Sequence, residues 1–214
     1  MTLTIKITSD FICPWCLVAE TRLNKAIKQL DTKIDIKQIW YPYELNPTMP
    51  EAGMERKVYR TGKFGSWEYS QQLDAKTIQA TKKDGIDFRY DLMEKTPNTL
   101  KAHRLTWLAE SLGKATDMST RILNAYFTEG KDITDISTLA KLAADVGINE
   151  QSTEIFLETD IGVKEVRELE RQAASQGIRG VPAIKIGQEI IVGGRPVEVF
   201  YAALKNALER LPTA

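Results

Sequence analysis

Cys13-Pro14-Trp15-Cys16 holds the chain's two cysteines, three positions apart. Upstream, Leu3 to Ile7 alternates apolar and polar residues as a half-buried strand does. Downstream, Leu17 to Leu30 is amphipathic at helical spacing. A strand that runs through a Cys-x-x-Cys into a helix sets the first thiol at the helix N-terminus. Unpaired backbone N–H groups and the positive end of the macrodipole lie there. Both favour thiolate over thiol, and the thiolate is the reacting form. The spacing therefore points to two sulfurs that cycle between dithiol and disulfide.

Two other chemistries share this spacing. Half of a structural zinc site looks the same, but a closed site needs two more ligands. The chain has no further Cys and a single His, His103, so no metal site is expected. The other is an inert disulfide. Met1-Thr2-Leu3-Thr4 shows neither the charged n-region nor the apolar h-region of a secretory signal, so a cytoplasmic, reducing setting is expected. Such a setting does not sustain a purely structural disulfide, and closing so short a loop gains little. Redox chemistry remains the better reading.

The chain has 214 residues, enough for one large domain or a domain with a sizeable insertion. A chain of this length buries roughly 70% of its unfolded surface, so its core needs no disulfide staple. Its 29 basic and 29 acidic residues cancel, which argues against nucleic acid or an anionic membrane as partner. No apolar run approaches the ~20 residues that span a bilayer.

The elements around the cysteines fall into two units. Thr2 to Thr8, the helix after Cys13 and Ile34 to Trp40 read as strand, helix, strand, a βαβ unit with parallel strands. Ala183 to Ile186 and Glu189 to Val192 flank Gly187-Gln188 as a hairpin. A helix opening at Pro196 follows, with Phe200, Ala203, Leu204, Ala207, Leu208 and Leu211 on one stripe. Between the units, helices are marked by Leu105 to Leu112, by Ile122 to Phe127, by Ile136 to Ala143 with Thr134 or Asp135 as cap, and by Val163 to Ser175. Pro42 to Gly65, broken by three prolines and three glycines, reads as largely loop. The expected fold class is α/β: a thioredoxin-like fold, βαβ plus ββα in one mixed sheet, with an inserted helical domain. Residues 1–45 and 163–214 would form the thioredoxin-like domain and 46–162 the helical insertion.

Gly180-Val181-Pro182 stands just before the hairpin. In a thioredoxin-like sheet that places an X-Pro bond beside the Cys-x-x-Cys. A trans proline opening an edge strand is the plainer alternative. A cis link costs only about 0.5–1 kcal/mol over trans, and beside a reactive cysteine pair it is the expectation. Val181 would then offer its backbone N–H and C=O to an extended substrate segment.

Several blocks together resemble the DsbA-like thiol oxidoreductases, in particular their FrnE-like branch. They are Ser9 to Cys16, Tyr41-Pro42-Tyr43-Glu44-Leu45-Asn46-Pro47, Asn98-Thr99 with Ala102-His103-Arg104-Leu105, Ala125 to Gly130, Asp132-Ile133, Gly180-Val181-Pro182 and Pro196 to Phe200. The likeness covers nearly the whole chain. Glu20 departs from it, standing where the branch usually carries a small residue. The resemblance implies a disulfide oxidoreductase with Cys13 as nucleophile and Cys16 as resolving thiol. It implies no cofactor beyond the redox-active disulfide, with protein thiols and disulfides or glutathione as partners, in a monomer or a homodimer.

Substrate contacts are expected from Phe11, Pro14, Trp15, Val181 and Pro182, and further from Asn98 and His103. Tyr43, Phe64 and Trp67 are weaker candidates for an apolar groove. His103 has two readings, a proton shuttle or substrate contact and a helix residue packed on Trp107. Asn98 is read first as the cap of a helix beginning at Thr99. Asp10 or Glu44 could be a buried carboxylate tuning Cys16. Related folds suggest an alternative, a kappa-type glutathione transferase or 2-hydroxychromene-2-carboxylate isomerase, which would use one Ser or Cys and bound glutathione. A non-enzymatic alternative is a redox-gated binding protein or holdase. Trp15 is neutral where some relatives carry His between the cysteines, so the thiolate must rest on backbone N–H groups and the dipole. The expected reduction potential is therefore more reducing than that of a His-containing relative, each 30 mV corresponding to about 1.4 kcal/mol. A redox titration giving a potential above that of the His-containing oxidant overturns this.

Overall fold

A computed structural model describes residues 2–211. β1 (Thr2–Ser9) leads through Cys13 into α1 (Pro14–Lys28), and β2 (Asp35–Pro42) completes the first unit. The short strand β3 (Met54–Glu55) is followed by α2 (Arg56–Phe64), α3 (Trp67–Thr81) and the short strand β4 (Lys95–Thr96). Then come α4 (Leu100–Ser111), α5 (Ala115–Glu129), α6 (Ile136–Asp145) and α7 (Glu150–Glu158). α8 (Val163–Ser175) returns the chain to the sheet and packs on β2. The hairpin β5 (Ala183–Ile186) and β6 (Glu189–Val192) and the helix α9 (Val197–Glu209) close the fold.

The main sheet has the order β2-β1-β5-β6, with β1 parallel to β2 and antiparallel to β5. This is the α/β mixed sheet expected of a thioredoxin-like fold. β1 is central because its side chains suit enclosure. Leu3, Ile5 and Ile7 are buried, and beyond them Thr8, Ser9 and Asp10 are buried too. The end of β1 that feeds Cys13 is thus covered on both faces. One continuous cluster of buried side chains joins sheet and inserted helices, from Ile5 and Leu23 to Leu105, Ile122 and Leu139. No helix among the described residues is long and apolar enough to cross a membrane.

The segment read as loop from Pro42 to Gly65 contains α2, and α3 and α7 lie where the sequence pattern marks no helix. For α2 and α3 the reason is the lack of an apolar stripe. The buried face of α3 is Ser70, Asp74, Thr77 and Thr81, helical in spacing but polar. Arg56 and Arg60 on α2 both bind Asp74 of α3. These helices are held by an ion-pair cluster and aromatic contacts, which hydrophobic periodicity does not detect. α3 does carry a start signal, since the Ser66 hydroxyl accepts from the Tyr69 N–H. Asp135 caps α6 in the same way, through Thr138 N–H. Pro196 sits one position ahead of α9, and α4 begins at Leu100 with Thr99 as its first boundary residue.

Glu20 lies on the buried face of α1, where α1 meets α5, and the Thr120 hydroxyl donates to its Oε1. Burial raises its carboxyl from 4.5 to about 7, with the Thr120 hydrogen bond opposing. The folded state therefore holds this proton more tightly than the unfolded chain does. The resulting stability is present below the unfolded value and lost as pH rises through about 7. Relative to Glu20→Gln, the wild-type protein should lose about 3 kcal/mol between pH 4.5 and 8. Denaturant unfolding of both proteins across that range checks it, and parallel pH profiles contradict it.

Candidate active site

β1 and β5 run antiparallel, with Ile7 opposite Ile184 and Thr8 opposite Ala183. In such a pair, the residues just after the first strand lie beside those just before the second. Cys13 and Val181-Pro182, 168 positions apart, meet for that reason. The Cys13 thiol donates to the Val181 carbonyl oxygen at 3.7 Å, and the Val181–Pro182 peptide is cis. The Pro182 carbonyl accepts from Gly193 N–H at 2.9 Å, which ties this corner to the end of the hairpin.

Cys13 is the N-cap of α1, with φ −96° and ψ 110°, and Pro14 takes the first helical turn. The Cys13 side chain makes no capping hydrogen bond to the helix, and Cys16 N–H closes the first turn on the Cys13 carbonyl at 2.9 Å. Hydrogen bonding from the Cys16 thiol holds Cys13 below the ordinary thiol value. Burial works against this, the Cys16 and Trp15 N–H groups support it, and the Asp10 carboxylate opposes it. Burial pushes Cys16 well up, and the bond it gives to Cys13 adds to the rise. Asp10 N–H donates to Cys16 Sγ at 3.4 Å and Ser9 assists in the same sense, both favouring its thiolate. The two thiols are unbridged, with Cys13 the more accessible at 7% against 2%.

Around the Asp10 side chain lies a buried cluster of ionisable groups. The Asp10 side chain is fully enclosed, and its Oδ2 accepts from Leu45 N–H at 2.7 Å. His103 Nε2 stands 3.4 Å from Asp10 Oδ1, and neither atom has a hydrogen-bond partner among the described residues. Glu44 is buried beside them, with Arg167 Nη1 at 2.6 Å from its Oε1. Burial lifts the Glu44 carboxyl to about 7, with His103 and Arg167 pulling down and Glu170 and Asp10 pushing up.

The candidate residues do not all converge. Trp15 is 36% exposed beside Cys13, seated on Gly194, where a Cβ would come within 2.8 Å of its ring. Arg22 fixes that seat by donating from Nη1 to the Gly194 carbonyl at 2.5 Å while holding Asp84. Pro14 and Trp15 border a groove of about 430 Å³ that opens from Cys13 toward α2 and α3. Phe64 lines it as well, whereas Phe11, Asn98, His103, Tyr43 and Trp67 do not. Phe11 is buried with its ring 4.8 Å from that of His103, and both line a separate cavity of about 210 Å³ with Trp107. Asn98 uses its amide structurally: Nδ2 donates to the Met49 carbonyl at 2.7 Å, and Oδ1 accepts from Leu100 N–H at 3.0 Å.

The groove also brings in Arg56, Arg60, Lys63 and Asp74, which the sequence pattern does not single out. The four-residue spacing of Arg56 and Arg60, matched by the polar face of α3, is the only signal for them. In the reduced protein, Cys13 should be alkylated with a midpoint below the ordinary thiol value of about 8.5. Cys16 should stay unmodified at pH values where Cys13 reacts fully. Mass mapping of iodoacetamide adducts across pH checks both, and equal labelling of the two thiols contradicts the assignment.

A family model for a DSBA-like thioredoxin domain matches residues 4–205. The uncharacterized protein YwbO of Bacillus subtilis is 30% identical over 211 residues, covering 96% of this chain and 98% of its own. A probable DsbA oxidoreductase from Streptomyces coelicolor has a crystal structure with TM-score 0.89 and 25% identity, over 99% of this chain and 92% of its own. The cytosolic disulfide reductase DsbM from Pseudomonas aeruginosa, solved with GSH, shares the fold at TM-score 0.67 and 20% identity, over 97% and 100%. A sulfur pair at a helix start, met by an X-Pro corner in a mixed sheet, and a family match along nearly its whole length lead to one assignment: the chain belongs to the DSBA-like thioredoxin domain family of thiol–disulfide oxidoreductases.

Proposed function

We propose that this protein exchanges disulfides with Cys13 as nucleophile and Cys16 as resolving thiol. The observation that carries this is Cys13 Sγ at the start of α1, facing the Val181 carbonyl at the mouth of a groove, with Cys16 buried beneath it. The Cys13 thiolate attacks a substrate disulfide RS–SR, forming Cys13–S–S–R and releasing RS⁻, which takes up a proton. Cys16, once deprotonated, attacks Cys13 Sγ, forms the Cys13–Cys16 disulfide and releases the second RS⁻. Two electrons pass from the dithiol to the substrate, and the reverse sequence oxidises a substrate dithiol. The lowered Cys13 and raised Cys16 suit these unequal roles, since the more acidic thiol both attacks and leaves more readily.

The substrates are protein or small-molecule disulfides, glutathione is a recycling partner, and the setting is cytoplasmic. The solved complex of the cytosolic reductase DsbM with GSH supports this reading by shared fold. Val181 supports it too, because its backbone lies beside the reacting sulfur, where an extended substrate can pair. Nothing in the site requires a bound cofactor for this exchange.

The isomerase reading uses one sulfur or hydroxyl and stably bound glutathione. Cys16 argues against it, since a resolving thiol would compete with the stable positioning of glutathione beside Cys13. Cys16→Ser decides between them. Dithiol cycling should be abolished, and a mixed disulfide on Cys13 should accumulate and be visible by intact mass. Full disulfide turnover in Cys16→Ser would remove the two-cysteine mechanism, and isomerase-type activity that survives in it would favour the isomerase class.

A further inference from the structure

Across the groove from Cys13, α2 and α3 hold a cluster whose charges do not balance. Arg56 Nη2 donates to Asp74 Oδ2 at 2.6 Å, and Arg60 Nη2 donates to Asp74 Oδ1 at 2.8 Å. Two guanidiniums thus share one carboxylate, and the Arg56 side chain is only 4% exposed. Burial and the nearby Arg56 lower the Arg60 guanidinium from its ordinary value, against the pull of Asp74. Lys63, which donates to the Tyr59 hydroxyl at 2.8 Å, and Lys76 add two more cations to the same lining. Among the described residues, Asp74 is the sole carboxylate in that lining. The other walls are largely apolar and aromatic, with Phe64, Tyr90 and Phe127 among them.

Such a groove favours an anion with an apolar body. Charges act more strongly where side chains displace water, so an unbalanced cation there gains most from an anionic ligand. At about 430 Å³ the space falls within the roughly 300–1,000 Å³ of small-ligand pockets. Cys13 stands at its edge, so whatever fills it can present a sulfur to the nucleophile.

We propose that this groove selects a low-molecular-weight thiol or disulfide that carries carboxylates, with its sulfur at Cys13 and a carboxylate held by Arg60 and Lys63. The inference rests on Cys13 as nucleophile and adds the recognition of the substrate beyond its sulfur. The exchange is that of the Cys13–Cys16 dithiol with RS–SR, the substrate disulfide being the oxidant.

The test compares three small disulfides of different charge: glutathione disulfide, bis(2-hydroxyethyl) disulfide and cystamine, which are anionic, neutral and cationic. Second-order rates of Cys13 oxidation in the reduced protein are read by quenched alkylation and mass. The anionic disulfide should react fastest and the cationic slowest, after correction for each reagent's rate with free cysteine. The order should narrow as salt rises. Lys63→Glu, an exposed change that spares the buried cluster, should cut the anionic-to-cationic rate ratio about tenfold, and Arg60→Gln should also lower it. Lys141→Glu on α6 makes the same change in net charge away from the groove and should leave the ratio within about twofold. A wild-type protein without charge order, or a Lys63→Glu variant that keeps the wild-type ratio, overturns the inference. So does a charge preference seen with acidic peptides and absent with the small disulfides. If Cys13 reacts with none of the three, the proposed function itself fails, which is a different outcome.

Discussion

The antiparallel pairing of β1 with β5 is the constraint on which this molecule depends. It alone brings the start of α1 against the X-Pro corner, because the chain reaches β5 only after the whole helical insertion. The pairing is secured by burial. Ile5 and Ile7 face Ile186 and Ile184 across the ladder, and all four are almost wholly enclosed. A register slip of one residue would turn these side chains to the wrong face, so the hydrophobic pattern that builds the core also sets the distance from Cys13 to Val181. Arg22 braces the same corner from α1, reaching the Gly194 carbonyl and Asp84.

Around that corner the protein encloses several ionisable side chains. Asp10, His103 and Glu44 lie close together, and Arg56 and Asp74 lie across the groove from Cys13. Removing ions from water costs several kcal/mol each, and paired geometry offsets this only in part. Asp10 is offset by Leu45 N–H, Glu44 by Arg167, and Asp74 by two guanidiniums. A core built for stability alone gains little from these groups. The Asp10 carboxylate acts on Cys13, and Arg56 and Asp74 line the groove.

The helical insertion is therefore more than a spacer. Its α2 and α3 form one wall of the groove whose other wall is the turn entering α1. In the proposed function the sulfurs supply the exchange, while the insertion shapes what can approach them. This division is common where a rigid scaffold carries the chemistry and attached segments carry recognition. Trp15 sits between the two, partly exposed and seated on Gly194, where any side chain would collide with its ring.

Much of this was legible in the order of residues. Cys-x-x-Cys between a strand and a helix, the hairpin after Pro182 and the apolar stripe of α9 are local patterns, and local patterns survive reading one residue at a time. They determined the α/β class and the place of the two cysteines at the start of a helix. Tertiary structure alone decided the rest. Phe11 and His103 pack on each other away from the groove, Asn98 fastens Met49 and Leu100, and Arg56 and Arg60 line the groove. Those outcomes depend on partners tens of residues distant and on buried polar faces. Hydropathy sees a stripe of Ser70, Asp74, Thr77 and Thr81 as solvent-facing, and only the contacts it makes show that it is not.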